Sequence, residues 1–219
     1  EEKMEEVFAI YNEKEKIIGA ATRTEAHRKG LWHMVVHCWL LYRTGNEVWL
    51  YFQQRADSKK DFPSLYDIAA AGHVDVSEFP KQAVLRETKE EIGLEMDERR
   101  LYHLGTLKEE IRLDGFWDRE IVQVYLYESQ EEPKFTLGEE VSRMIRIPQK
   151  EFEKKELHGE ESLTAFLMNK RKIVIPKEEW CKHSGEYKKW VLPWLKKHPP
   201  LENLPQNVAV QMDFRDKLT

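Results

Sequence analysis

Glu90 and Glu91 stand three and four residues after Glu87 in the run Arg86-Glu87-Thr88-Lys89-Glu90-Glu91-Ile92-Gly93. On a helix that spacing brings the three carboxylates onto one face. Neighbouring carboxylates on an exposed helix repel by only about 0.2–0.5 kcal/mol per pair, so repulsion alone does not demand a cation. The donor chemistry does point to one. Mg²⁺ prefers one or two carboxylates, several waters and the oxygens of a phosphate, and this face can supply the protein's share. Such an ion polarises a diphosphate oxygen and lowers the pKa of an attacking water.

The element that must present them is a helix from Pro80 to Ile92. Ser77 reads as its N-cap, Pro80 suits the first turn, and Gly93 sits where a glycine ends a helix. Ala83, Val84 and Leu85 supply its apolar positions. The whole stretch Gly72 to Leu94, GHVDVSEFPKQAVLRETKEEIGL, resembles the Nudix box G-x5-E-x7-R-E-U-x-E-E-x-G-U, with Thr88 at the first apolar position as the one departure. Seven fixed residues taken at roughly one in ten each, over ~200 starting points, make a chance match on the order of one in 10⁵. The resemblance implies that Glu87, Glu90, Glu91 and the Gly72 carbonyl hold Mg²⁺ or Mn²⁺. It also implies that Glu78 and Arg86 pair to hold the glycine loop against the helix.

Around the box the chain reads as strands: a hairpin in Glu6 to Ile18, a polar connection from Thr24 to His33, core strands at Met34 to Tyr42 and Glu47 to Arg55, and a loop broken by Pro63. Strands follow at Leu101 to Glu110, Ile121 to Tyr127 and Val141 to Ile147. Helices are expected from Pro148 to Glu156, over Glu161 to Lys170, and within Pro176 to Lys197, interrupted at Gly185 and Pro193. Leu201 to Thr219 reads as a loosely attached tail. Strands surrounding one catalytic helix suggest an α/β fold, an α/β/α sandwich. The resemblance implies the same Nudix-type sandwich with a mixed sheet over residues 1–152; beyond it, 153–219 reads from its own residues as a helical C-terminal extension packed on that domain.

The segments EAHRKGLWHMVVHCWLL and QQRADSKKDFPSLYDIAAAGHVD look similar to the isopentenyl-diphosphate isomerase branch of the superfamily and its hydrolase relatives. That branch implies a divalent metal held at His27, His33, His73, Asp118 and Glu120, residue types that suit Mn²⁺, Zn²⁺ or Mg²⁺. It implies diphosphate binding by Arg55 and Lys59, an Arg fork and a Lys point charge. His37, inside an apolar strand, reads as a buried structural residue. Two departures favour hydrolysis over isomerisation. Ala71 stands where isomerases carry a cysteine before the glycine, and alanine donates no proton to an alkene. The box glutamates, degraded in isomerases, are intact. The proton acceptor is open among Glu87, Glu120, Glu139 and Glu140.

The chain has 219 residues, 41% of them hydrophobic and 34% charged, enough for one core and an added subdomain. A net charge of −5 gives no electrostatic footprint for nucleic acid. No run approaches the roughly 18 apolar residues of a membrane span. The acidic start lacks the core of a signal peptide, and Cys38 and Cys181 make no disulfide framework, so a cytoplasmic location is expected. Trp190 and Trp194 share a helical face, fit for packing, a dimer surface or base stacking. The expected function is a Mg²⁺- or Mn²⁺-dependent hydrolase of an organic diphosphate. The alternatives are an isopentenyl-diphosphate isomerase and a non-catalytic diphosphate sensor.

Overall fold

The computed structural model describes residues 5–183 and 185–199. Its organising strand is fed by a hairpin, β1 (Val7–Tyr11) and β2 (Ile17–Thr22), and a short helix, α1 (Arg23–Lys29). That strand is β3 (Trp32–Thr44), a run dense in β-branched and aromatic residues. The strand period of two sends Val36, Cys38 and Leu40 to one face and Val35, Trp39 and Leu41 to the other. β4 (Glu47–Arg55), β5 (Tyr66–Ile68) and β6 (Ala70–His73) then lead into α2 (Pro80–Ile92). A long hairpin, β7 (Leu101–Leu113) and β8 (Phe116–Ser129), returns β8 parallel to β3, while β4 and β6 run antiparallel to it. The sheet is therefore mixed. β9 (Val141–Pro148) pairs with β4 and leads into α3 (Gln149–His158).

Each sheet face buries one helical layer. Ala83, Val84 and Ile92 of α2 pack with Val36, Cys38 and Leu40. Phe152 of α3 packs with Trp39, Leu41 and Phe52 on the opposite face. There they meet Tyr187, Val191 and Leu195 from a terminal helix that begins as a π turn (Tyr187–Val191) and continues as α4 (Leu192–Lys197). The arrangement is the expected α/β/α sandwich.

Four local expectations change. Glu161 to Lys170 does not form a helix: β10 (Ser162–Leu167) and β11 (Lys172–Pro176) make an antiparallel hairpin that extends the sheet beyond β9. Leu163 and Ala165 bury alternate residues against the core, and Lys170 turns the chain at φ 68°. The C-terminal extension is thus part sheet and part helix. The polar connection before β3 contains α1, capped by Thr22, whose side chain accepts from Glu25 N at 3.3 Å, and ended by Gly30 at φ 62°. The N-cap of α2 is Phe79 rather than Ser77, and its N–H donates to Gln82 Oε1 at 2.9 Å. Pro193 falls at the start of α4 without interrupting it. The tail read at Leu201 to Thr219 lies outside the described residues.

Gly93 ends α2 as expected, at φ 67° with its N–H on Lys89 O at 3.0 Å. A Cβ there would lie 2.6 Å from the Thr136 carbonyl oxygen. Gly93→Ala combines a left-handed backbone with a backbone collision, so it should lower unfolding stability by about 1–3 kcal/mol in a urea titration. A loss within experimental error would show that the loop at Thr136 yields freely.

Candidate active site and metal centre

Pairing of β6 with β3 sets Gly72 opposite Val36, directly beneath α2. A Cβ on Gly72 would lie 2.0 Å from Glu87 Cδ, so the glycine is the space in which the Glu87 carboxyl sits. Arg86 locks the arrangement. Its Nε and Nη2 donate to the two oxygens of Glu78 at 3.0 and 2.9 Å, Nη2 also donates to His73 O at 3.0 Å, and Nη1 reaches Glu87 Oε1 at 2.7 Å and Glu90 Oε2 at 3.3 Å. A planar fork can hold strand and helix in this way, whereas an ammonium cannot. Glu91 lies deeper, accepting from Ala71 N at 3.1 Å and Gln53 Nε2 at 2.9 Å through one oxygen. Burial pushes Glu91 up to about 8 and Glu87 up to about 7, each raised further by a neighbouring carboxylate. Thr88, at the apolar position of the box, is buried by donating its hydroxyl back to Val84 O at 2.7 Å.

Glu87, Glu90 and Glu91 all line a cavity of about 710 Å³, within the range of small-molecule sites. His27, His73, Asp118 and Glu120 line it too. The register places His33 opposite Glu120 across β3 and β8, and Glu120 opposite Glu109 across β8 and β7. One ligand atom from each of His27, His33 and His73 falls within 4.8 Å of the others, and so do those of His33, Asp118 and Glu120. The five residues indicated by the isomerase-branch resemblance are therefore assembled, with His73 and Glu120 among them.

The protonation pattern fits a cation. His33 Nδ1 lies 3.0 Å from the Leu31 carbonyl and must donate its proton there, which leaves the lone pair on Nε2, 3.3 Å from Asp118 Oδ1. His27 Nε2 is 3.4 Å from the same oxygen. Burial lowers His27 and His73, and lowers His33 to about 4, so these imidazoles are neutral at physiological pH. Burial pushes Asp118 up to about 6 and Glu120 well above the usual carboxylate range. His27 Nε2, His33 Nε2 and Asp118 Oδ1 are buried with no hydrogen-bond partner. Lone pairs that face one another with no proton between them are a donor set for a metal.

Arg55 and Lys59 also line the cavity. Arg55 commits most of its fork to the loop, donating from Nε and Nη2 to Asp61 O and from Nε to Phe62 O. Lys59 pairs with Glu140. Arg23, absent from the sequence reading, adds a further cation to the wall and bonds Glu6 and Asp61, each at 3.1 Å. Its signal was the Thr22-x-x-Glu25 cap with Gly30 behind it. Trp180, Cys181 and His183 were also missed as cavity residues. His37 is buried as expected, but it bonds Glu186 Oε1 at 2.5 Å. Trp190 packs over Gly105, and Trp194 against Tyr102 and His198, so both are packing residues.

A model of the NUDIX domain matches residues 31–167. The chain belongs to the Nudix family. It is similar to an uncharacterised Nudix hydrolase of Clostridium acetobutylicum, 37% identical over 145 residues that cover 65% of this chain and 70% of the relative. A Corynebacterium diphtheriae isopentenyl-diphosphate Δ-isomerase is 32% identical over 93 residues, 42% of this chain and 49% of that protein. A crystal structure of a Deinococcus radiodurans protein superposes with a TM-score of 0.51 at 24% identity, over 71% of this chain and 91% of that one, and supports the fold alone. As a Nudix member with hydrolase relatives, the protein is an enzyme acting on pyrophosphate bonds. No described helix is long and apolar enough to cross a membrane.

Proposed function

We propose that this Nudix protein is a Mg²⁺- or Mn²⁺-dependent hydrolase that cleaves the diphosphate of a nucleoside diphosphate derivative or a related organic diphosphate. The observation that carries the reading is the Gly72 cradle: three box carboxylates face a 710 Å³ cavity, one of them seated where any larger residue would displace it. Glu87, Glu90, Glu91 and the Gly72 carbonyl would hold one divalent ion, and His27, His33, His73, Asp118 and Glu120 a second. A bound divalent ion polarises a phosphate oxygen and makes water a better nucleophile.

The remaining work falls to the chain's own residues. Arg86 fixes Glu87 and Glu90 relative to the glycine strand, so the carboxylates are placed before substrate arrives. Arg55, Lys59 and Arg23 supply positive charge to the diphosphate. A proton acceptor for the attacking water comes from the cavity carboxylates. The candidates Glu87, Glu120, Glu139 and Glu140 all line the cavity.

The histidine centre also favours a second reading, isomerisation of a prenyl diphosphate, because the resemblance that pointed to it comes from that branch. Against it stands Ala71, whose methyl has no proton to give and whose N–H is engaged by Glu91.

Incubation of the chain with nucleoside diphosphate derivatives, dinucleotides and prenyl diphosphates, with Mg²⁺ or Mn²⁺ in ¹⁸O water, separates the readings. Metal-dependent cleavage with solvent oxygen in one phosphorylated product is expected. Conversion of isopentenyl to dimethylallyl diphosphate without phosphate release would establish the isomerase instead. Tight binding with neither reaction would make the protein a sensor.

A further inference from the structure

A second cluster of metal-type ligands lies apart from the residues used above. His37 on β3, Glu109 on β7, and His183 and Glu186 on the C-terminal segment each present one ligand atom within 4.8 Å of the others. We propose that these four residues form a further divalent-cation site, for a first-row ion such as Zn²⁺ or Mn²⁺, which ties the C-terminal segment to the Nudix sheet.

The geometry carries it in three steps. First, two ligands are oriented from behind. His183 Nε2 lies 2.5 Å from Asp67 Oδ1, which places a proton on Nε2 and turns Nδ1 inward. Trp39 Nε1 donates to Glu186 Oε2 at 2.9 Å and turns Oε1 toward the two imidazoles, where it bonds His37 Nδ1 at 2.5 Å, a contact that a bound ion would replace. A carboxylate behind a ligating histidine and a donor behind a ligating carboxylate are the outer-shell supports that metal centres use.

Second, His183 Nδ1 is buried without a hydrogen-bond partner, 4.0 Å from Glu109 Oε2 and 3.9 Å from Glu186 Oε1. These separations are too long for hydrogen bonds. They are spans that two metal–ligand bonds of about 2.1 Å close at an obtuse angle.

Third, Glu186 is 1% exposed and Glu109 is 7% exposed. A cation seated among these carboxylates would act at low local dielectric, where its attraction to them is strong. Two imidazoles and two carboxylates match the borderline donor set of Zn²⁺ and Mn²⁺. An entry path exists, since His37, Glu109 and His183 line the cavity. A ligating imidazole nitrogen must be free of its proton, so metal binding releases to solvent any proton held at His183 Nδ1.

The test is metal content and imidazole chemistry, independent of turnover. The chelator-stripped full chain would be dialysed against Zn²⁺ and against Mn²⁺, and bound metal counted for wild type, His183→Gln, Glu109→Gln and His33→Gln. His183→Gln and Glu109→Gln should each lose about one equivalent that His33→Gln retains. In long-range ¹H–¹⁵N spectra of wild type, Zn²⁺ should shift the His183 Nδ1 resonance into the metal-bound range. An unchanged metal count in both cluster variants, with the wild-type His183 resonance unmoved by Zn²⁺, would overturn the site and leave a buried histidine–carboxylate network. Loss confined to His33→Gln would likewise assign all the histidine-bound metal to the other centre. Because wild-type spectra need no variant to fold, the proposal stays testable if His183→Gln is unstable. Failure here leaves the hydrolase reading untouched, and failure of cleavage leaves the metal count standing.

Discussion

Glu91→Gln should lower turnover of the cleaved diphosphate by about 10²–10⁴, and Glu87→Gln by a similar factor, with the KM for substrate changed far less. The loss should be one of charge at the site rather than of fold. Burial pushes Glu91 up to about 8 from its ordinary 4.5. An acid whose pKa is raised in the folded state is ionised more readily in the unfolded chain, so metal-free stability falls as pH climbs from the ordinary value toward the raised one. The amide carries no such cost. In chelator, Glu91→Gln should therefore unfold at or above the wild-type midpoint at pH 8, with its advantage shrinking as the pH is lowered toward 4.5. Added Mg²⁺ should raise the midpoint of wild type more than that of the variant, because a ligand stabilises only the state that binds it. Wild-type turnover in both variants, on a substrate that wild type cleaves only with metal, would remove the box carboxylates from the reaction.

The box could be read from the sequence because its signals are local. Pro80, the glutamate spacing and Gly93 lie within one helix and its cap, and the Gly72 to Glu87 contact joins two ends of the same short stretch. The core strands were legible for a related reason: Met34 to Tyr42 is apolar on both faces, as a strand buried between two helical layers must be. Legibility failed where short elements take their shape from neighbours. In Glu161 to Lys170 the pattern of Leu163 and Ala165 has period two, but the stretch is short enough to pass for a helix until β9 supplies an edge to pair with. The C-terminal wall of the cavity was invisible for a different reason. His37 and Glu186 are 149 residues apart, and no spacing rule reaches across that distance. The clustered histidines were indicated only by a resemblance. Their protonation pattern, with Nδ1 of His33 tied to Leu31 and Nε2 facing Asp118, belongs to the fold.

Gly72→Ala should reduce turnover by about 10² or more while moving the melting temperature by only a few degrees. The glycine lies outside the left-handed region, so alanine meets no backbone penalty there. The whole conflict is with one side chain, since the new methyl would fall 2.0 Å from Glu87 Cδ, 2.3 Å from Oε1 and 2.5 Å from Cγ. A glutamate can swing away by rotating its own torsions at modest cost, so the fold should survive. The carboxylate, however, leaves the position in which Arg86 holds it against Gly72. A displacement of about 1 Å at a reacting centre can cost on the order of 10²-fold in rate. Gly93→Ala is the matching control, because it strikes the Thr136 backbone and should lower stability while leaving the carboxylates where they are. If Gly72→Ala turns over within about threefold of wild type, the seat of Glu87 against the glycine strand has no part in catalysis. If turnover collapses with the fold intact, the placement of that one carboxylate, independent of its charge, is what the box glycine secures.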